Sequence, residues 1–137
     1  MPDSTNAPLS TDIRQQPVLL VDDDPVVIHL LSSALTAAGY TVQTAKSAAQ
    51  CLLLLQGGQA QGPLPQLILL DVQLADKPGP VLLQEIRQHS DWAAIPVALV
   101  SANSEREVRA QFPQLGPEYF LEKPFPPETV VELLRRI

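Results

Sequence analysis

Five residues in this chain, Asp22, Asp23, Asp71, Ser101 and Lys123, have the types and the placement to do chemistry together. Asp22 and Asp23 stand directly after the apolar run Val18-Leu19-Leu20-Val21, with Asp24 behind them. Asp71 ends the run Leu67-Ile68-Leu69-Leu70, and Ser101 ends Val97-Ala98-Leu99-Val100. Lys123 follows Tyr119-Phe120-Leu121, with Glu122 between. Any one of these positions alone is ordinary loop polarity. If they meet, the chemistry is constrained. Three carboxylates within a few ångströms cannot all stay ionised without counter-charge, because like charges raise one another's pKa, and a single lysine offsets only part of that. An oxygen-only, carboxylate-rich site without histidine or cysteine suits Mg²⁺ or Mn²⁺ and does not suit zinc. Carboxylate, Mg²⁺, hydroxyl and lysine are the groups phosphoryl transfer uses to neutralise charge on the equatorial oxygens.

Whether they meet depends on the elements that carry them. The runs before Asp22, Asp71 and Ser101 are apolar throughout, as strands buried on both faces are, whereas half-exposed strands alternate. Asp24-Pro25 starts a helix, since the aspartate caps free N–H groups and proline at the first helical position loses nothing. That helix puts Val27, Ile28, Leu31, Ala34, Leu35 and Ala38 on one face and stops at Gly39. The alternation recurs: a β-prone Tyr40 to Thr44, a helix from a Ser47 cap to about Gln56, and a loop from Gln59 to Pro65. After the strand ending in Asp71 comes a helix carrying Val81, Leu82, Leu83, Ile86 and Arg87. A short helix near Ser104 to Phe112 follows the fourth strand, and a last one carries Val130, Val131, Leu133, Leu134 and Ile137. Five strands alternating with five helices predict an α/β fold, an open twisted parallel sheet with helices on both faces. In such folds the binding crevice lies at the carboxyl ends of the strands, where all five residues fall.

Composition narrows the function further. The 137 residues allow one domain, with little left over for a second. A net charge of −6 repels phosphate backbones and anionic lipid, so neither direct nucleic-acid binding nor membrane binding by charge is expected. The single cysteine, Cys51, excludes an intrachain disulfide and a cysteine metal cage. The longest apolar runs are far short of the ~18 residues that span a bilayer. Met-Pro-Asp-Ser-Thr-Asn has neither the basic nor the apolar part of a signal peptide. The expected location is the cytoplasm. Residues 1–16, polar and without periodicity, read as a mobile tail, and 17–137 as the folded domain.

Leu-Val-Asp-Asp-Asp-Pro after the first strand, Leu-Leu-Asp71 after the third, Ser101-Ala102 after the fourth and Lys123-Pro124-Phe125 after the fifth resemble the receiver domain of bacterial two-component response regulators. The resemblance runs from about Pro17 to Ile137. Each motif alone is weakly specific; all four in order are highly specific. The resemblance implies a flavodoxin-like (βα)5 doubly wound parallel sheet in strand order 2-1-3-4-5. It implies that Asp71 is the phosphoacceptor, taking a phosphoryl group from a phosphohistidine of a histidine kinase or phosphotransfer protein. Asp23 and Asp71 would ligate Mg²⁺ directly, the Gln73 backbone carbonyl would complete the protein's share, and Asp22 would act through water. Lys123 would pair with Asp71 at rest and with a phosphoryl oxygen afterwards. Ser101 would swing to another phosphoryl oxygen, and Phe120 would turn into the space it leaves. Gln73 and Asn103 occupy positions that tune loss of the phosphate. The implied partners are the kinase, an output domain or effector protein, and a second copy through the face of the fourth helix, fifth strand and fifth helix. The setting is a response regulator or a hybrid kinase, in a domain that catalyses only its own phosphorylation and dephosphorylation. Departures are Ala75 where a proline often stands, Pro78-Gly79 in place of Asp-Gly, a long Gly57 to Pro65 connection, and two prolines between Gln111 and Pro117.

Two other readings compete. A phosphorylation-independent docking module, a pseudo-receiver of the same fold, would be expected to have lost Asp71, Ser101 or Lys123. A Mg²⁺-dependent phosphatase would want a second acid two residues after the first, where this chain has Gln73. The remaining polar and aromatic residues have plainer explanations. Asp24 reads as a helix cap, His29 and His89 as helix surface, Cys51 as a small core residue, and Trp92 as packing over the loop before the fourth strand. Arg106 and Arg109, with Glu105 and Glu107, read as a solvated helix face. Of Leu52 to Leu55, at least one must point partly outward.

Overall fold

The computed structural model describes residues 16–57, 63–114 and 116–137. The expected tail lies outside the described residues except for Gln16, whose carbonyl accepts a hydrogen bond from Gln66 Nε2 at 2.6 Å. The alternation of apolar tetrads and amphipathic segments forms β1 (Val18–Val21), α1 (Pro25–Ala37), β2 (Val42–Ala45), α2 (Ala48–Gly57), β3 (Leu67–Asp71), α3 (Gly79–Gln88), β4 (Val97–Ser101), α4 (Glu105–Gln111), β5 (Tyr119–Glu122) and α5 (Glu128–Arg136). The strands pair in parallel in the order β2-β1-β3-β4-β5, which is the 2-1-3-4-5 order that the resemblance implies.

The three central strands are buried along their whole length, which is why they read as unbroken apolar runs. Their side chains alternate between two cores. Leu19, Val21, Ile68, Leu70, Val97 and Leu99 face α2, α3 and α4, packing with Cys51, Leu55, Leu82, Leu83, Ile86 and Val108. Val18, Leu20, Leu67, Leu69, Ala98 and Val100 face α1 and α5, packing with Leu31, Leu35, Val130, Val131, Leu133 and Leu134.

Local signals set the helix ends. Asp24 Oδ1 accepts from the Val26 N–H at 2.9 Å, with Pro25 at the first helical position. Gly39, at φ +95°, donates to Thr36 O, and Tyr40 donates to Leu35 O, the paired bonds of a glycine C-terminal stop. Ser47 Oγ accepts from Gln50 N–H at the start of α2, and Ser104 with Glu107 forms a reciprocal cap on α4. Ala38 lies past the last turn of α1 and is exposed, so the buried stripe of that helix ends earlier than its periodicity predicts. In the leucine run of α2, Leu53 is the outward residue at 64 % exposure.

Truncation of Leu70, fully buried on the central strand, to alanine is expected to cost about 2–5 kcal/mol. Leu53→Ala is expected to change stability by less than about 0.5 kcal/mol. Urea midpoints measure the contrast, and equal midpoints would contradict the two-core description.

Candidate functional site

The strand alternation aims the site. Asp22 continues the face of Val18 and Leu20, Asp71 that of Leu67 and Leu69, and Lys123 that of Tyr119 and Leu121. Asp22 and Asp71 accordingly line a small void with Leu20, Ile28, Leu31, Leu69 and Val100 on the α1 side of the sheet. Ser101 has the opposite parity, that of Val97 and Leu99, and so points to the core that Phe120 packs against. All four lie at the carboxyl ends of adjacent strands.

Asp22, Asp23 and Asp71 each bring a carboxylate oxygen within 4.8 Å of the others. Lys123 Nζ lies 3.3 Å from Asp22 Oδ2 and 3.6 Å from Asp71 Oδ2, so one ammonium serves two nearly buried carboxylates. Asp23 is exposed at the mouth. Backbone N–H groups hold the other oxygens: Asp22 Oδ1 accepts from Asp24 at 2.9 Å and Asp71 Oδ1 from Gln73 at 3.1 Å. Burial raises the Asp71 carboxyl to about 6. The Asp22 charge also pushes it up, while the Gln73 N–H and Lys123 pull it back only in part. The site thus has more negative charge than its own groups neutralise. Its donor set, all oxygen and mostly anionic, fits a hard divalent cation.

Ser101 is buried, its Oγ accepting from the Asn103 N–H at 2.9 Å. The Ser101 carbonyl accepts from the Lys123 N–H at 2.7 Å, which fixes the Lys123 backbone against β4. The Lys123-Pro124 peptide is cis. Phe120 is half-buried and sits opposite Leu99 in the β4–β5 register. Asn103 and the Gln73 side chain are exposed above the rim.

Two further residues shape the site. Gly79, at the start of α3, lies so close to the Asp71 backbone that a Cβ there would sit 2.2 Å from the Asp71 carbonyl oxygen. Its N–H donates to Val72 O at 2.8 Å. Glycine is required because the loop leaving the acceptor folds directly back over it. Asp76, in the same loop, accepts hydrogen bonds from two N–H groups of α2. The spacing of Gly79 after Asp71 was a visible signal; the reach of Asp76 to α2 was not.

Asp24 is the cap on α1. His29 is exposed. Cys51 is fully buried, and burial pushes its thiol up to about 12. Trp92 is buried with its ring stacked on that of His89, 3.7 Å between centroids. Arg109 pairs with Glu105 on exposed α4. No helix among the described residues is long and apolar enough to cross a membrane.

A family model described as the response regulator receiver domain matches residues 18–135. The chain belongs to that family. This receiver domain is 39% identical over 123 residues to the transcriptional regulatory protein KdpE of Staphylococcus aureus, covering 90% of this chain and 48% of that protein. It is 36% identical over 120 residues to the transcriptional regulatory protein GltR of Pseudomonas aeruginosa, covering 88% and 46%. The chain therefore spans about half the length of the curated relatives it matches. Among solved structures it resembles the chemotaxis response regulator CheY4 of Vibrio cholerae, with a TM-score of 0.78 at 27% identity over 89% of this chain and 98% of that one.

The receiver's excess charge has a measurable cost. A carboxyl raised to about 6 binds its proton more tightly in the native state than in the unfolded chain. Ionised Asp71 therefore destabilises the fold fully above about pH 6, and the penalty fades as pH falls towards 4. Without divalent cations, Asp71→Asn is expected to stabilise the domain at pH 8 by on the order of 2–3 kcal/mol, with about half that gain at pH 5. Urea unfolding at both pH values tests this; equal gains, or none at pH 8, would contradict it.

Proposed function

We propose that this domain receives a phosphoryl group on Asp71 and signals by a change of its surface. The observation that carries the reading is the convergence of Asp22, Asp23 and Asp71 within 4.8 Å of one another beside a lysine they share. An Asp71 oxygen attacks phosphorus of a phosphohistidine on a histidine kinase or phosphotransfer protein. The O–P bond forms as the N–P bond breaks, and the imidazole leaves with the bonding pair and takes up a proton. Mg²⁺ is the proposed cofactor, held by Asp23, Asp71 and the Gln73 carbonyl, with Asp22 acting through water. When bound it offsets the charge that develops on the phosphoryl oxygens.

The chain's own groups do the rest. The Gln73 N–H holds Asp71 Oδ1 and leaves Oδ2 turned towards Lys123, 3.6 Å away. Lys123 then follows the charge onto a phosphoryl oxygen. Ser101, near-fully buried, swings to donate its hydroxyl to another phosphoryl oxygen, and Phe120, which packs with Leu99 on the same core, turns into the vacated space. Two packings separated by a few kcal/mol suffice for such a switch. The affected surface is that of α4, β5 and α5, which would meet an output domain, an effector or a second copy.

An exposed apolar strip supports kinase docking. Val26 and Leu30 are 63 % and 53 % exposed on α1, beside a groove of about 210 Å³ lined by Val27, Leu30, Leu31, Lys123, Pro124, Phe125 and Pro127. That groove reaches Lys123 and so opens next to the acceptor. The relatives named as transcriptional regulators are about twice as long as this chain, which supports an output in transcription control through another segment or protein. The acidic domain itself makes no direct contact with nucleic acid or membrane in this proposal. It works in the cytoplasm, in a response regulator or hybrid kinase, and turns over no external product.

Incubation with acetyl phosphate, with and without Mg²⁺, followed by intact-mass spectrometry tests the reading. One added phosphoryl mass that needs Mg²⁺ and disappears in Asp71→Asn is the expected result. No adduct on the parent chain would overturn it in favour of a phosphorylation-independent docking module.

A further inference from the structure

The loop between β3 and α3 leaves Asp71 and returns at Gly79. Its neck is closed by the Gln73 to Pro78 bridge and by the Gly79 N–H on Val72 O. Beyond the neck it has little to hold it. Leu74 is buried in the core below, but Ala75, Asp76 and Pro78 are exposed. An exposed loop with one apolar anchor is a segment that opens easily. Yet this loop carries the Gln73 N–H on which Asp71 Oδ1 depends, and the carbonyl assigned above to Mg²⁺.

Asp76 supplies the missing attachment. Its Oδ1 accepts from Ala48 N–H and its Oδ2 from Ala49 N–H, both at 3.0 Å. These are the first two residues of α2, whose N–H groups have no partner within the helix. Ser47, the helix's own cap, serves Gln50 instead. One carboxylate therefore spans two adjacent amides of an element 27 to 28 residues away in the chain. These bonds hold the Asp76 carboxyl below the usual carboxylate range. On the other side of the loop, Lys77 pairs with Glu85 of α3, a half-exposed ion pair of the kind that contributes little.

We infer that Asp76 is a positioning residue for the acceptor site: by pinning the loop to the N-terminus of α2 it fixes Gln73 against Asp71. It touches neither the reacting atoms nor the metal ligands. Its contribution is to keep the Gln73 N–H and carbonyl in register, so its loss weakens Mg²⁺ binding and slows phosphorylation through the loop. The Mg²⁺ part rests on the proposed function; the loop part does not.

The test compares the parent chain with Asp76→Ala, Asp76→Asn and Ser47→Ala. Ser47→Ala removes a cap from the same helix end without touching the loop, so it reports what a weakened α2 does alone. Amide hydrogen exchange without metal is read at Gln73 and Gly79. Mg²⁺ affinity is read by calorimetry, and phosphorylation of Asp71 by intact mass at saturating Mg²⁺. In Asp76→Ala, exchange at Gln73 is expected to rise and Mg²⁺ affinity to fall, each about tenfold, the scale of losing an outer-shell partner. Asp76→Asn, whose carbonyl can accept only one of the two bonds at full geometry, restores part of both. Ser47→Ala lowers the melting temperature but leaves Gln73 exchange and Mg²⁺ affinity at parent values. Unchanged exchange at Gln73 in Asp76→Ala, or equal effects of Ser47→Ala, would overturn the inference. A parent chain that takes up neither Mg²⁺ nor phosphate would overturn the proposed function, while the exchange comparison still decides the role of Asp76.

Discussion

Two nearly buried carboxylates share one ammonium at the carboxyl ends of the buried central strands, and the rest of the molecule is arranged around that imbalance. Water cannot reach Asp22 and Asp71 freely, since both are themselves nearly buried. Lys123 reaches both but neutralises the charge of only one. Backbone N–H groups from Asp24 and Gln73 take up further lone pairs without adding charge. What remains is an anionic pocket that is unfavourable by itself and favourable towards a dication or a group that redistributes the charge. The same feature that makes the site costly makes it responsive.

Much of this was legible in the sequence because the signals are local. An unbroken apolar tetrad announces a strand buried on both faces, and the first polar residue after it must stand at the rim. Asp22, Asp71 and Ser101 could be placed on that rule alone. The Asp24-Pro25 start and the Gly39 stop of α1 were legible for the same reason, since a cap bonds only to its near neighbours in the chain. The exposure of Leu53 followed from helix geometry, although which of four leucines would face out depended on packing.

What the sequence did not reveal is made by contacts across long chain distances. Nothing in Lys46-Ser47-Ala48-Ala49 indicates that its amides are met by Asp76, and nothing around Asp76 indicates a helix N-terminus in reach. The division of Lys123 between Asp22 and Asp71 likewise depends on how β1, β3 and β5 line up. At the opposite end of the sheet, Arg87 donates to Ala93 O and Ile95 O and pairs with Glu118, which itself accepts from the Val97 N–H. That cluster ties α3 to the starts of β4 and β5, and a lone arginine in a helical pattern does not announce it.

The ion pair between Lys123 and Asp22 closes a separation of 101 residues, and this bears on how the domain is made. A ribosome releases Asp22, Asp23 and Asp71 before Lys123, so the growing chain has the acids before it has their counter-ion. The strand that brings Lys123 is also an edge strand, and it docks onto β4 alone. A partly synthesised or clipped chain thus holds its carboxylates without a partner and has no finished pocket. The ion pair of the pocket therefore waits for the last strand of the sheet.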